Sequence, residues 1–243
     1  MKPIVFLDLE TTGLDPNVHE IIEVAAIQVD ARSLTELDVL HLRIKPERLG
    51  VASVHALNMN GFDIELWEDA SFIGAALMQL FPLLDGAMLA GHNVNFDRTF
   101  LDAAYKQLSI QPPKLDHHTL DTASLAWPLY SAGEIDSLSL ASVCKALNVD
   151  GGPPHRALSD ARRSLDCARR LLGPLHIAAD IAMLHPDESR IVSTIVKRIG
   201  AAEGEYGPWS VHDGRDYPEE AFAEIVDGMA YLAAELVRLG SRP

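Results

Sequence analysis

The stretch that decides the fold is residues 4–13, Ile-Val-Phe-Leu-Asp-Leu-Glu-Thr-Thr-Gly, an apolar run that ends in two acids and a turn. Its apolar, β-branched start predicts a buried β-strand. Residues i and i+2 of a strand point to the same face, so Asp8 and Glu10 leave the strand side by side. Two adjacent like charges are costly to bury unless a cation holds them, and carboxylate oxygens suit a hard divalent metal. The alternative is a polar strand end whose acids face water.

A second block, residues 91–97, reads Gly-His-Asn-Val-Asn-Phe-Asp and follows the apolar run 87–90. The apolar residues that come after it have the spacing of one helix face. They are Phe100, Leu101, Ala104 and Leu108. Asp97 is therefore expected at a strand-to-helix junction, near the N-terminus of the helix.

A third block, residues 153–160, reads Pro-Pro-His-Arg-Ala-Leu-Ser-Asp. The two prolines stiffen the approach to His155, and Asp160 falls about one turn along the helix that begins there. A single histidine or aspartate of this kind is compatible with a solvated surface. Four carboxylates and a histidine, each at the end of an element, favour a shared site.

The segments FLDLETTGLD, GHNVNFDRTFL and HRALSDA resemble the three motifs of the DEDDh exonuclease superfamily, over residues 1–178. That superfamily includes the proofreading subunit of bacterial DNA polymerase III, ribonuclease T and oligoribonuclease. The resemblance implies that Asp8, Glu10, Asp97 and Asp160 bind two Mg²⁺ ions, for which Mn²⁺ substitutes. It also implies that His155 is the catalytic base, since a histidine five residues before the last acid is typical of the histidine branch.

The same resemblance implies a metal-dependent 3′→5′ exonuclease that releases nucleoside monophosphates from single-stranded DNA or RNA 3′ ends. The candidate substrate-binding residues are Thr12, Gly13, Leu14, His92, Asn93 and Phe96. The first three are expected to meet the terminal nucleotide, and the next two to position a phosphate or the terminal sugar. For the ring of Phe96, two roles stay open, stacking on a base and packing in the core. The choice between DNA and RNA depends on contacts to the 2′-hydroxyl, which the sequence does not reveal.

The order of predicted elements indicates an α/β fold. Segments 20–30 and 36–45 follow the first strand after short polar turns, so the three strands are expected to form an antiparallel meander. The later elements are a helix over 69–84, a strand ending near Val94, the Asp97 helix, a strand over 119–123, a helix capped by Ser137, and a helix over 156–172. This alternation predicts a mixed sheet flanked by helices, and the resemblance implies the five-stranded ribonuclease-H-like type.

Length and charge set further limits. A chain of 243 residues can form one domain with an appendage. The net charge of -15 is unusual for a nucleic-acid binder, because proteins that grip many phosphates are usually basic. Two divalent ions would offset only part of it, so we expect few phosphate contacts at a time. The sequence shows neither an apolar run of membrane-spanning length nor a signal-peptide pattern, and a cytoplasmic location is expected.

Three other groups of reactive residues have simpler interpretations. Cys144 and Cys167 lie in apolar helical patterns, which favours reduced core thiols over a redox pair. The segment 116–121, Asp-His-His-Thr-Leu-Asp, allows a metal site, but its place after two prolines favours a polar loop. Basic residues on the last helix could supply a local positive field, although a solvated helix face is favoured. They are Arg162, Arg163, Arg169 and Arg170.

Residues 179–243 fall outside the resemblance and are predicted to form a helical accessory segment. A helix over 218–239 would carry an apolar stripe, with acids Glu220, Glu224 and Asp227 on another face. This acidic line allows a nucleotide pyrophosphohydrolase of the MazG-like kind. Packing on the nuclease domain, or pairing in a homodimer, is favoured. A polymerase or repair partner and a non-catalytic proofreading-type binding module are further alternatives, the latter disfavoured by the intact set of five motif residues.

Overall fold

The computed structural model describes residues 2–150 and 152–183, with side-chain environments as far as residue 173. The chain divides into two compact units, Met1–Ala179 and Asp180–Pro243. The sheet and the site described below lie in the first unit. Five strands form one sheet in the order β3-β2-β1-β4-β5. They are β1 Ile4–Thr11, β2 Ile21–Val29, β3 Glu36–Arg43, β4 Met88–Gly91 and β5 Thr119–Asp121. The predicted five-stranded mixed sheet is confirmed.

Strand β1 lies at the centre of the sheet and sets its mixed character. It runs antiparallel to β2, which runs antiparallel to β3, and this is the predicted meander. On its other side β1 is parallel to β4, and β4 is parallel to β5. In the β1–β2 ladder Asp8 lies opposite Ala25 and Glu10 lies opposite Glu23. The carboxyl end of β1 therefore delivers its two acids next to β2.

Helices cover both faces of the sheet, which explains why β1 and β2 are buried along nearly their whole length. The helices are α1 Val54–Met59, α2 Ile73–Leu84, α3 Val94–Gln107, α4 Thr122–Leu125, α5 Trp127–Ser131, α6 Leu140–Ala146 and α7 Ala157–Met183. Helices α2 and α3 pack on the face that carries Val5 and Leu7. Helix α7 packs through Ala161 and Leu165 on the face that carries Phe6. Alternate side chains of β1 thus pack into two separate hydrophobic cores, one on each face of the sheet.

Several predicted boundaries were wrong, each for a local reason. The first long helix begins at Ile73 and not at residue 69, because Phe72 is extended and Ser71 forms a β-bridge with Ile44. Strand β4 ends at Gly91, since Asn93 adopts a left-handed conformation (φ 60°) and the helix starts directly after it.

Two further differences concern helix ends. The cap of α6 is Ser139, whose side chain accepts a hydrogen bond from the backbone N–H of Ser142, and not Ser137. Helix α7 continues to Met183 instead of ending at Leu172. Helices α1, α4 and α5 were not predicted. The strand predicted over 119–123 ends at Asp121, because α4 begins at Thr122 with Asp121 as its cap.

The predicted C-terminal elements lie outside the described residues. These are the helix over 218–239 with its acids Glu220, Glu224 and Asp227, and the homodimer contact proposed for this segment. No helix in the described part of the chain is both long and apolar enough to span a membrane.

Candidate active site

The acids from the three sequence blocks converge at the carboxyl end of β1. Glu10 is buried on β1, Asp97 is buried in the first turn of α3, and Asp160 is buried in the first turn of α7. Asp8 is partly buried beside them. The carboxylate of Asp97 accepts a hydrogen bond of 2.9 Å from the backbone N–H of Leu9. This bond fastens α3 to β1 at the residue between the two strand acids.

The loop before α7 places His155 against the same acids. Its φ of 58° is left-handed, an unfavourable conformation for a residue with a side chain. Its backbone N–H donates a 2.8 Å hydrogen bond to Asp160 Oδ2, and Arg163 donates to Asp160 Oδ1 at 3.1 Å. The potential ligand atoms of Glu10, His155 and Asp160 all lie within 4.8 Å of one another. The structure therefore brings together all five motif residues.

The electrostatics of this cluster are those of crowded, buried acids. Burial raises the pKa of Asp8 well above its usual range, and the neighbouring charges of Asp97, Glu10 and Asp160 add to the effect. Burial also raises the pKa of Asp97. The pKa of Glu10 is raised to about 8 by burial and by the charges of Asp160 and Glu23, while Arg156 opposes the shift. Burial and crowding thus favour the protonated forms of Asp8, Glu10 and Asp97.

These residues fit a hard divalent metal. The four acids offer only oxygen ligands, and Mg²⁺ and related ions prefer carboxylates. Repulsion between the acids contributes to the raised pKa values of Asp8, Glu10 and Asp97. A multivalent cation would offset this repulsion and so stabilise the ionised carboxylates. Asp8, Glu10, Asp97 and Asp160 are the residues that would hold such ions.

A cavity of about 530 Å³ opens beside the acids. Gly13, Leu14 and Phe96, three of the predicted substrate residues, line it together with Glu10 and His155. Leu14 is 82% exposed, and Phe96 is partly buried with its ring 4.8 Å from that of Phe100. Phe96 thus packs on the core and also faces the cavity, so its stacking on a base stays a prediction. The lining is mainly apolar, as expected for contact with a base or sugar.

Thr12 and Gly13 shape the turn behind this cavity. Thr12 is fully buried, and its hydroxyl accepts a 2.9 Å hydrogen bond from the backbone N–H of Glu20. A Cβ at position 13 would lie within 2.6 Å of three ring atoms of His19. Glycine is required there because the His19 ring occupies the space. Thr12 contributes to the site by holding the turn.

One wall of the cavity was missed by sequence reasoning. Helix α1 and its flanks contribute Ser53, His55, Ala56, Met59 and Asn60 to the lining. The available signal was Ser53, a helix-capping residue type before a short apolar run; its side chain accepts from the backbone N–H of Ala56. Six residues are too few to produce a clear periodic pattern.

His92 and Asn93 lie along a second, more open cavity of about 640 Å³ that also contains Asp8, His155 and Asp160. The imidazole of His92 donates through Nε2 to the carbonyl of Leu138 at 2.8 Å, and its Nδ1 lies 2.9 Å from Thr122 Oγ1. Burial lowers the pKa of His92. Both ring nitrogens are therefore engaged by the protein, and His92 ties β4 to the segment before α6. Asn93 is exposed at the cavity edge.

Residues 5–167, about two thirds of the chain, match the exonuclease family RNase_T. The chain belongs to this family. The predicted resemblance to DEDDh exonucleases is confirmed, and the protein is an exonuclease-family hydrolase. Members of this family use divalent metal ions, in agreement with the acid cluster.

Relatives of the exonuclease domain occur in proteins of different length. A PolC-type DNA polymerase III from Thermotoga maritima is 35% identical over 158 residues, which are 65% of this chain and 11% of the polymerase. Ribonuclease T from Haemophilus ducreyi is 27% identical over 198 residues, covering 75% of this chain and 90% of that protein. Escherichia coli Exonuclease I in complex with a dT13 oligonucleotide has a TM-score of 0.63 at 16% identity, covering 73% and 43% of the two chains. At that identity the likeness shows the shared fold.

Other reactive groups of the exonuclease domain belong to its scaffold. Cys144 and Cys167 are buried free thiols with their sulfurs 3.6 Å apart, as predicted for core residues. Three arginines of α7 bind neighbouring groups: Arg163 binds Asp160, Arg169 binds Asp166 and the carbonyl of Leu34, and Arg170 binds the carbonyl of Leu147. Arg162 is exposed.

The Asp-His-His cluster lies at the other end of the sheet. Asp116 accepts hydrogen bonds from Lys2 and from the backbone and ring of His118. Lys2 precedes β1, whose opposite end carries Glu10. Asp116 is thus part of a polar network in the loop before β5. One potential ligand atom from each of Asp116, His117 and His118 also lies within 4.8 Å of the others, so the metal-site alternative stays open.

Proposed function

We propose that this exonuclease removes nucleoside monophosphates one at a time from single-stranded 3′ ends by metal-dependent phosphodiester hydrolysis. The observation that carries the proposal is the convergence of four acids and His155 at the mouth of a cavity large enough for a nucleotide. The family assignment supports both the reaction class and its 3′→5′ direction.

The acids hold the catalytic ions and orient them. Two divalent ions, when bound, supply activation of water and stabilisation of the charge on the scissile phosphate and the leaving oxygen. Asp8 lies within the electrostatic influence of Asp97, Glu10 and Asp160 and would hold the ions together with them. The Leu9 N–H holds Asp97 in place, and Arg163 holds Asp160. These bonds reduce the rotation of both carboxylates.

His155 acts as the general base in this proposal. The imidazole is exposed toward the site and lies next to Glu10 and Asp160, and histidine is the residue type that most often serves as a general base. It accepts a proton from the attacking water. The backbone N–H bond from His155 to Asp160 links the position of the base to that of a metal-holding acid.

The apolar cavity receives the terminal nucleotide. Leu14, Met59 and Phe96 offer faces on which any base can stack, which suits sequence-tolerant binding of single strands. The net charge of -15 supports a small number of phosphate contacts and therefore distributive action on short strands. Relatives include a ribonuclease and an enzyme crystallised with a DNA oligonucleotide, so both nucleic acids are substrates to test.

The test is an assay on matched DNA and RNA oligonucleotides labelled at the 5′ end, with Mg²⁺ or Mn²⁺. We expect a ladder of products shortened one nucleotide at a time, with mononucleotides released from the unlabelled 3′ end. Asp8→Ala is the control for contaminating nucleases and should produce no ladder. Absence of a ladder with wild-type protein on both substrates, or equal turnover by Asp8→Ala, would reject the proposal.

A further inference from the structure

A fifth carboxylate, which is buried, adjoins the acid cluster. Glu23, in the middle of the apolar strand β2, is only 3% exposed and lies directly opposite Glu10 in the antiparallel β1–β2 ladder. Directly opposed residues point to the same face, with Cβ atoms about 4.5–5.5 Å apart. The side chain of Glu23 therefore faces the same layer as Glu10, although it belongs to none of the three sequence blocks.

Among the residues that the structure describes, only one oxygen of Glu23 has a hydrogen-bond partner. Its Oε1 lies 2.6 Å from Nε2 of His41 on β3, whose side chain is 37% exposed. Its Oε2 is buried and has no hydrogen-bond partner among the described residues. A buried carboxylate oxygen without a partner is costly, and in a native protein it indicates an ion or an ordered water at that place. An ion pair with His41 accounts for the first oxygen and leaves the second unexplained.

The charge of Glu23 acts on the proposed metal-holding acids. The pKa of Glu10 is raised first by burial, then by the charge of Asp160 and then by that of Glu23. The charge of Glu23 also contributes to the raised pKa of Asp8. In the absence of metal, a fifth acid therefore makes the cluster less favourable. With divalent ions bound, the same charge attracts them, because opposite charges in a partly buried site interact strongly.

We propose that Glu23 is a positioning residue of the metal centre, which strengthens metal binding next to Glu10 and accepts, through Oε2, a hydrogen bond from water in the occupied site. His41 orients the Glu23 carboxylate from the other side through Oε1. This inference rests on the proposed function, since it requires the acid cluster to bind divalent ions. In this proposal the charge of Glu23 destabilises the metal-free protein and stabilises the protein with divalent ions bound.

The experiment compares Glu23→Gln with Glu36→Gln, which removes the same charge from an exposed position at the far end of the β2–β3 pair. Mn²⁺ binding is measured by titration calorimetry. We expect Glu23→Gln to weaken binding by about 10–100-fold, the usual effect of losing a residue that orients a metal ligand. Glu36→Gln should bind Mn²⁺ like the wild type.

Thermal unfolding distinguishes this role from a structural one. In EDTA, Glu23→Gln should melt at the same temperature as the wild type or higher, because a buried charge is removed. The rise in melting temperature on adding Mn²⁺ should be smaller than in the wild type. If Glu23→Gln binds Mn²⁺ normally, or is less stable or unfolded in EDTA, Glu23 is only a structural partner of His41 and the inference fails.

The two levels of the proposal fail in different ways. A wild-type protein that binds Mn²⁺ no better than Asp8→Ala would contradict the metal-dependent function itself. If Asp8→Ala loses Mn²⁺ binding as expected and Glu23→Gln binds Mn²⁺ like the wild type, only the role of Glu23 is rejected.

Discussion

Arg156 donates a hydrogen bond to the backbone carbonyl of Asn60, a residue 96 positions away in the sequence. The same guanidinium nitrogen donates to the carbonyl of His155 at 2.8 Å. The Asn60 side chain in turn donates to the carbonyl of Thr11 at 2.8 Å. Gly61 adopts φ 56°, and a Cβ there would collide with the guanidinium. The loop of the proposed base is thus tied to one wall of the cavity and to the end of β1.

This connection predicts a defined effect of Arg156→Ala. Without the guanidinium, His155 loses a support of its left-handed conformation and samples positions away from the acids. Hydrogen bonds of charged groups contribute about 1.5–3 kcal/mol, so kcat should fall roughly 10- to 100-fold, with a smaller change in KM. Steady-state kinetics on a short oligonucleotide measure both constants. Arg162→Ala, an exposed position near the start of α7, is the matched control. A higher KM with unchanged kcat would mean that Arg156 acts on substrate binding.

Two substitutions of Asp97 separate the contribution of its charge to activity from the contribution of its hydrogen bond to stability. In Asp97→Asn the amide oxygen can still accept the hydrogen bond from the Leu9 N–H, but the anionic metal ligand is lost. We expect turnover to fall by about 100-fold or more while the melting temperature in EDTA stays equal or rises. Asp97→Ala should be equally inactive and also less stable, because a buried N–H loses its partner at a cost of about 1–3 kcal/mol. Full activity of Asp97→Asn would remove Asp97 from the metal site.

The raised pKa of Glu10 predicts how stability depends on pH. In the metal-free folded protein this carboxyl has a pKa of about 8, against an ordinary value of 4.5. Between these values the folded state binds more protons than the unfolded chain, so stability should fall as pH rises through this window. Thermal melts in EDTA at several pH values check this, and Glu10→Gln should show a weaker dependence.

Metal binding should follow the opposite trend. Since a bound ion displaces the proton of Glu10, Mn²⁺ affinity should increase with pH up to about 8. Calorimetry in two buffers of different ionisation enthalpy would detect the released proton. Binding without proton release at pH 7 would show that Glu10 is already ionised in the metal-free protein.

His155→Ala should lower kcat by roughly 10²–10⁴-fold, the usual contribution of a general base. Higher pH supplies hydroxide directly, so the activity of the variant should recover partly as pH rises. His117→Ala, an exposed histidine in the network at the other end of the sheet, should leave the rate and its pH profile unchanged. If His155→Ala keeps the pH profile of the wild type, another group accepts the proton.

The acidic charge predicts weak dependence of binding on salt. A protein that makes 6–10 phosphate contacts loses about 10³–10⁵ in affinity between 50 and 200 mM salt, and this enzyme should lose much less. It should also act distributively, so that a heparin trap added after binding stops degradation early. Complete degradation of a long strand by one trapped enzyme molecule would contradict the prediction.

The sequence by itself determined the features that depend on local pattern. The alternation in residues 4–11 predicts a strand with both acids on one face, because the side-chain period of a strand is two. Short turns between the first three strands allow only an antiparallel meander. Asp97 and Asp160 could be placed in first helical turns because Asp97 follows a strand-to-helix junction and Asp160 follows two prolines. The two helices begin at Val94 and Ala157.

Only the tertiary structure decided which distant residues meet. Glu23 is an isolated polar residue in an apolar strand, and its place opposite Glu10 depends on the β1–β2 register, which shifts at the irregularity after Glu10. The bond between Arg156 and Asn60 depends on the packing of α1, a helix too short to show a period. The engagement of His92 by Leu138 likewise joins segments that no local pattern connects. Register and packing arise from the burial of the whole sheet, and for that reason a sequence read segment by segment does not contain them.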